Sequence, residues 1–92
     1  MEKVRKHIIF TGRVQGVGFR YRASYAARSL GITGWVRNNY DGSVEMEAQG
    51  NEASIHHMLT MINKDSYIVI EKMDTKKIPL QEQENGFHVR GY

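Results

Sequence analysis

Gly12-Arg13-Val14-Gln15-Gly16-Val17-Gly18-Phe19-Arg20 joins an apolar, strand-like run to a helix-like one. Three glycines fall within seven residues of this stretch. Glycine admits positive φ and lets a ligand approach the main chain. A glycine-rich loop that enters a helix aims several N–H groups at one point, and the helix dipole adds positive potential there. Such a concavity binds anions. Arg13, Arg20 and Arg22 lie near the same helix start, where the dipole disfavours cations. A bound phosphate or carboxylate relieves that conflict. Glycine spacing alone also fits a plain strand-to-helix turn with solvated arginines. The stretch is neither G-x-x-x-x-G-K-[ST] nor G-x-G-x-x-G, and no Ser or Thr is placed to hold magnesium.

Outward from this loop, the chain alternates between two periods. Residues 4–11 read as a strand, with Ile8 and Phe10 turned to a core and Lys6 sharing their parity. Phe19, Ala23, Ala26, Ala27 and Leu30 recur at helical spacing, which predicts a helix from about Phe19 to Leu30 with Gly31 as its stop. Tyr21 and Tyr25, four apart on another side, read as packing residues. A second strand over 33–39 leads to Asp41-Gly42, a hairpin turn signal, and a third strand over 43–49. Val44, Met46 and Ala48 alternate there with Glu45, Glu47 and Gln49, and Arg37 is expected to face those acids across the hairpin. Asn51 reads as the N-cap of a second helix, about Glu52 to Asn63, with Ile55, Met58, Leu59 and Ile62 on its apolar face. Residues 67–73 read as strand four, 79–86 as loop, and Phe87 to Arg90 as a short last strand.

This order, β-α-β-β-α-β plus a terminal strand, predicts an α+β, ferredoxin-like sandwich: a mostly antiparallel sheet with two helices on one face. In that arrangement strands one and two run parallel, with strand three between them. The glycine loop leaves the C-terminal end of strand one, and Asn38 lies near the C-terminal end of strand two. Both ends share one sheet edge, where ligands of βα units collect.

Composition narrows the function. A chain of 92 residues, with 40% hydrophobic and 25% charged content, suits one modest globular core. The absence of cysteine excludes disulfides, thiol catalysis and cysteine metal sites. No apolar run reaches transmembrane length and the N-terminus lacks a signal-peptide segment, so a cytoplasmic location is expected. Residues 1–40 hold eight basic residues against Glu2, a net +7, while residues 41–92 hold five basic and nine acidic residues, a net −4. The half that carries the glycine loop is thus the basic half, which supports an anionic partner.

Gly12 through Arg20, followed by Gly34-Trp35-Val36-Arg37-Asn38 and Asp41-Gly42-Ser43-Val44, resembles the acylphosphatase family. The resemblance covers nearly the whole chain in length and element order, as one domain over 1–92. It weakens after Gly50. Family members often carry Gly-Pro and then alternating Ala and Val where this chain has Asn63-Lys64-Asp65-Ser66-Tyr67-Ile68-Val69, which leaves the register of strand four open. The resemblance implies hydrolysis of acyl phosphates to a carboxylate and inorganic phosphate, without a metal or other cofactor. It implies that Arg20 binds the phosphoryl group, that backbone N–H groups of Gln15, Gly16, Val17, Gly18 and Phe19 cradle its oxygens, and that Asn38 holds the attacking water. The expected partners are a small acyl phosphate and its products, with no nucleic acid, no membrane and a monomeric chain. Motif position alone selects Asn38 over its equally polar neighbour Asn39. His56 and His57, adjacent on a helix, share no face and are read as surface residues. The rival reading is a phosphate- or RNA-binding module of the same element order, kept open by basic pI and Trp35, although strands one and three lack paired aromatics.

Overall fold

The computed structural model describes residues 2–91. These form strands β1 (Lys3–Arg13), β2 (Thr33–Asn38), β3 (Val44–Asn51), β4 (Val69–Ile78) and β5 (Phe87–Arg90), and helices α1 (Phe19–Ser29) and α2 (Glu52–Asn63). The sheet runs in the order β4-β1-β3-β2-β5. β1 is antiparallel to β3 and β4, β3 is antiparallel to β2, and β2 is parallel to β5. Strands β1 and β2 therefore point the same way on either side of β3, and the expected ferredoxin-like sandwich forms. No helix among the described residues is long and apolar enough to cross a membrane.

Alternation builds the core. Ile8, Phe10, Val36, Val44, Met46 and Ala48 are fully buried, and Phe19, Ala23, Ala26 and Ala27 of α1 and Ile55, Met58 and Ile62 of α2 close over them. The predicted apolar faces of both helices are the ones buried. Helix α1 stops as expected: Gly31 takes φ 70°, and the Ile32 N–H turns back to the Ala27 carbonyl at 2.9 Å. Asn51 caps α2, its Oδ1 accepting from the Ser54 N–H at 2.8 Å.

Four strands differ from the expected bounds: β2 and β3 by no more than two residues at either end, and β1 and β4 for reasons visible in the structure. β1 runs to Arg13, because a bulge between Thr11 and Gly12 lets the strand continue beside β4. Gly12 takes φ 123° there, and a methyl at that position would overlap the Val69 carbonyl, so this glycine serves strand pairing and not the loop. β4 starts at Val69 and extends to Ile78. Its start is delayed because Asp65 folds the preceding residues into a turn, accepting from the Tyr67 N–H on Oδ1 at 2.8 Å and from the Ile68 N–H on its carbonyl at 3.2 Å. Its far end carries no apolar alternation, since Glu71–Lys77 are exposed and only backbone pairing with β1 holds them extended.

The helix-free face is polar. Arg5 is 1% exposed, and its guanidinium donates to Glu47 at 2.8 Å and to both oxygens of Glu84 at 2.7 and 3.0 Å. That fastens the 79–86 connection across the sheet and brings β5 in beside β2. The guanidinium groups of Arg37 and Arg90 lie over the Trp35 ring, at 5.4 and 4.5 Å from its centre.

Candidate active site

Three apolar anchors shape the glycine loop. Val14 and Phe19 are 1% exposed, Val17 packs against the core, and the Phe19 ring lies 4.8 Å from that of Phe10. Between the anchors the chain must reverse sharply, and it does so through Gly16 at φ 73° and Gly18 at φ 82°. A methyl at either glycine would meet nothing within 4 Å, so backbone conformation rather than space requires them. Gly18 is also the N-cap of α1, which has no side-chain cap and no acidic residue in its first turn. Among the described residues, the N–H groups of Gly16, Val17, Gly18 and Phe19 donate to no backbone carbonyl. Unpaired amides at the positive end of a helix form the kind of concavity that can receive an anion.

The loop is joined to the second strand by one side chain. Gln15 Nε2 donates to the carbonyl oxygens of Asn39 and Ser43, at 2.7 and 2.8 Å. Those carbonyls belong to the tight β2–β3 hairpin, where the Asp41 carboxylate accepts from Ser43 N–H at 2.9 Å and from Ser43 Oγ at 2.6 Å. The same hydrogen bonds hold the Asp41 carboxyl below the usual range. A braced hairpin is thus held against the loop, with Asn38 directly before it.

Asn38 and Asn39 separate clearly. Asn39 Nδ2 donates to Ser43 Oγ at 3.1 Å, which commits that amide to the turn. Asn38 shares the parity of Val36, so it points to the helix side of the sheet and is 8% exposed. Its amide makes no hydrogen bond with another described residue, and Asn38 lines a cavity of about 580 Å³ beside Gly16, Gly18, Phe19 and Arg20. Arg20, in the first turn of α1, donates from Nη1 to the Arg90 carbonyl at 2.8 Å. That tether to β5 leaves the other guanidinium nitrogens without a partner among the described residues.

The other basic residues divide. Arg22, offered by the sequence as part of the basic helix start, pairs with Asp65 at 2.8 Å and ties α1 to the turn before β4. Arg13 is exposed at the end of β1. His56 and His57 are exposed on α2, and no group of His, Cys, Asp and Glu among the described residues could hold a metal ion. Tyr21 and Tyr25 are not packing residues: they are 82% and 70% exposed and line the same cavity as Arg20 and Asn38. Sequence reading also missed the Gln15 brace and the Arg90 carbonyl. The signal for Gln15 was present, a long amide flanked by glycine in a loop. Nothing local in the sequence pairs Arg20 with Arg90, seventy residues away.

The Acylphosphatase family model matches residues 6–89. An acylphosphatase of Geobacillus thermodenitrificans is 49% identical over 78 residues, 78% of this chain and 83% of its own length. One of Geobacillus kaustophilus is 41% identical over 86 residues, 92% of each chain. The crystal structure of acylphosphatase from Bacillus subtilis is similar with a TM-score of 0.86 and 30% identity, covering 95% of this chain and 98% of that one. A glycine loop, a first-turn arginine and a buried asparagine thus lie together in a fold shared with solved acylphosphatases, and the chain belongs to the acylphosphatase family.

Proposed function

We propose that the chain, as one domain over 1–92, hydrolyses acyl phosphates with Arg20, Asn38 and the amides of Gln15–Phe19, and without a metal ion. The observation that carries this reading is the convergence of Gly16, Gly18, Phe19, Arg20 and Asn38 on one cavity. The loop amides and the helix start receive the phosphoryl oxygens, and the free nitrogens of Arg20 add a charged donor. Arginine suits this role because its planar fork makes parallel hydrogen bonds to a phosphate. The Asn38 amide orients a water molecule opposite the acyl oxygen. The water oxygen bonds to phosphorus as the bond to the acyl oxygen breaks. The acyl group leaves as a carboxylate with the bonding pair, and the water proton passes to the phosphate or to solvent. A carboxylate is a good leaving group, so no general acid is required. Charge spreads over the equatorial oxygens, and positioning with electrostatic stabilisation supplies most of the catalysis.

The rival nucleic-acid reading has less support. Trp35 is 8% exposed beneath two guanidinium groups, so it offers no open face for a base. A chain without cysteine suits a reducing compartment such as the cytoplasm, and a monomer contains every residue the reaction needs. The test is hydrolysis of benzoyl phosphate in excess EDTA. Turnover is expected to be unchanged by the chelator, and activity restored only by added metal would overturn the mechanism.

A further inference from the structure

The cavity extends well beyond the place for a phosphoryl group. Its volume of about 580 Å³ lies in the range of small-molecule sites, whereas a phosphoryl group occupies only the end formed by Gly16, Gly18 and Arg20. The remaining wall climbs α1 through Tyr21, Ser24, Tyr25 and Arg28, and Val89 of β5 also lines it. The hydrolytic step uses none of these. Tyr21 and Tyr25 are one turn apart on the same helix side, 82% and 70% exposed. Ser24 lies between them and is 5% exposed, yet its hydroxyl makes no hydrogen bond with another described residue. Among the described residues Arg37 Nε is the one buried side-chain nitrogen or oxygen without a partner, so the Ser24 hydroxyl is open to the cavity and available to donate there. Two open aromatic rings and an aliphatic residue on one wall suit an acyl group that has a ring, and the Ser24 hydroxyl and the Arg28 guanidinium on the same wall are donors for its carbonyl oxygen.

We propose that this wall is an acyl subsite and that Tyr21 and Tyr25 make the protein prefer acyl phosphates with an aromatic acyl group over acetyl phosphate. The inference rests on the hydrolytic reading of the same cavity. The ring of the substrate lies against the two tyrosines and Val89, and Ser24 Oγ donates to the acyl carbonyl. The subsite holds the acyl group while the loop holds the phosphate, so its contribution appears in KM.

The experiment compares kcat/KM for benzoyl phosphate and acetyl phosphate in the native protein, in Tyr21→Ala, in Tyr25→Ala, and in Tyr67→Ala as an exposed tyrosine away from the cavity. The ratio of the two substrates is expected to fall roughly three- to tenfold for each cavity tyrosine, the effect of one aromatic contact, and to stay constant in Tyr67→Ala. An unchanged ratio in both cavity variants overturns the proposal, as does an equal fall in Tyr67→Ala. Binding of the non-hydrolysable pair phenacylphosphonate and acetonylphosphonate, followed by NMR of the tyrosine rings, is measured alongside. Tighter binding of the aromatic phosphonate, lost in the Tyr21→Ala/Tyr25→Ala variant, supports the subsite even if neither acyl phosphate is hydrolysed, which would defeat the hydrolytic reading alone. Equal affinity for the two phosphonates, or binding of neither, overturns the subsite.

Discussion

Replacing Asn38 with alanine separates a buried asparagine that holds the fold from one that holds a water. A structural asparagine is embedded in hydrogen bonds, and its removal leaves those partners unsatisfied at about 1–3 kcal/mol each. Asn38 has no side-chain partner among the described residues, so its removal orphans nothing. What remains is the packing lost around a few atoms, about 1 kcal/mol, the usual cost of a point substitution. A 92-residue chain has a total stability of about 5–14 kcal/mol, so the fold survives. Tm should fall by about 4–8 °C. The reaction should suffer far more. A nucleophile that is no longer held in line costs about a hundredfold in rate. The loop and Arg20 are untouched, so inhibition by inorganic phosphate should keep its strength. The assays are the loss of benzoyl phosphate absorbance under saturating substrate, a phosphate inhibition series, and thermal unfolding of the same preparations. A variant that turns over at the native rate, or one whose lost activity is matched by unfolding, refutes the reasoning.

Arg20→Lys should weaken phosphate inhibition and kcat/KM together, roughly ten- to hundredfold, because an ammonium cannot keep the tether to Arg90 and fork onto phosphate as well; a variant with native phosphate affinity would contradict this. Gly34→Ala should cost about 3 kcal/mol or more in urea unfolding, because Gly34 takes φ 141° and a methyl would overlap the Glu47 carbonyl across the β2–β3 pairing. Gly16→Ala, facing open space at φ 73°, should cost only about 1–2 kcal/mol, so similar urea midpoints for the two variants would contradict the contrast. Acid should weaken the 79–86 anchor. Burial is the largest single influence on the Glu84 carboxyl and would raise it, but the hydrogen bonds from Arg5 and Thr33 and the nearby positive charge, chiefly that of Arg5, together outweigh burial and hold the group below its ordinary range. A depressed folded value stabilises the protein above the unfolded value of about 4.3, and this contribution is lost as pH falls through the folded value. The Tm advantage of the native protein over Glu84→Gln should therefore be full at neutral pH and shrink on acidification below that point; an advantage that persists in strong acid would disprove the coupling.

Much of the fold was legible because local periodicity and burial agree. Ile8 and Phe10, Val44 to Ala48, and the apolar faces of both helices follow the period of their elements, and Gly31, Asn51 and Asp41-Gly42 mark ends that the backbone needs. The region after α2 was less legible for a definite reason. β4 is held by hydrogen bonds to β1 along charged residues, and backbone pairing leaves no pattern in side-chain chemistry. Tyr21 and Tyr25 misled because helical spacing tells which residues share a face but not whether another element covers that face.

The sequence by itself determined the order of the elements and the place of the glycine loop, since glycine placement and apolar period act through neighbours along the chain, whereas Arg20 and Asn38 were singled out only by the resemblance to acylphosphatases. Tertiary structure alone decided that Asn38 and not Asn39 opens on the cavity, that Gln15 locks the loop to the hairpin, that Arg22 is consumed by Asp65 while Arg20 is held by Arg90, and that two tyrosines border the site. Each of these depends on which strand lies beside which, and pairing between distant segments is set by the packing of the whole sheet rather than by any residue's neighbours.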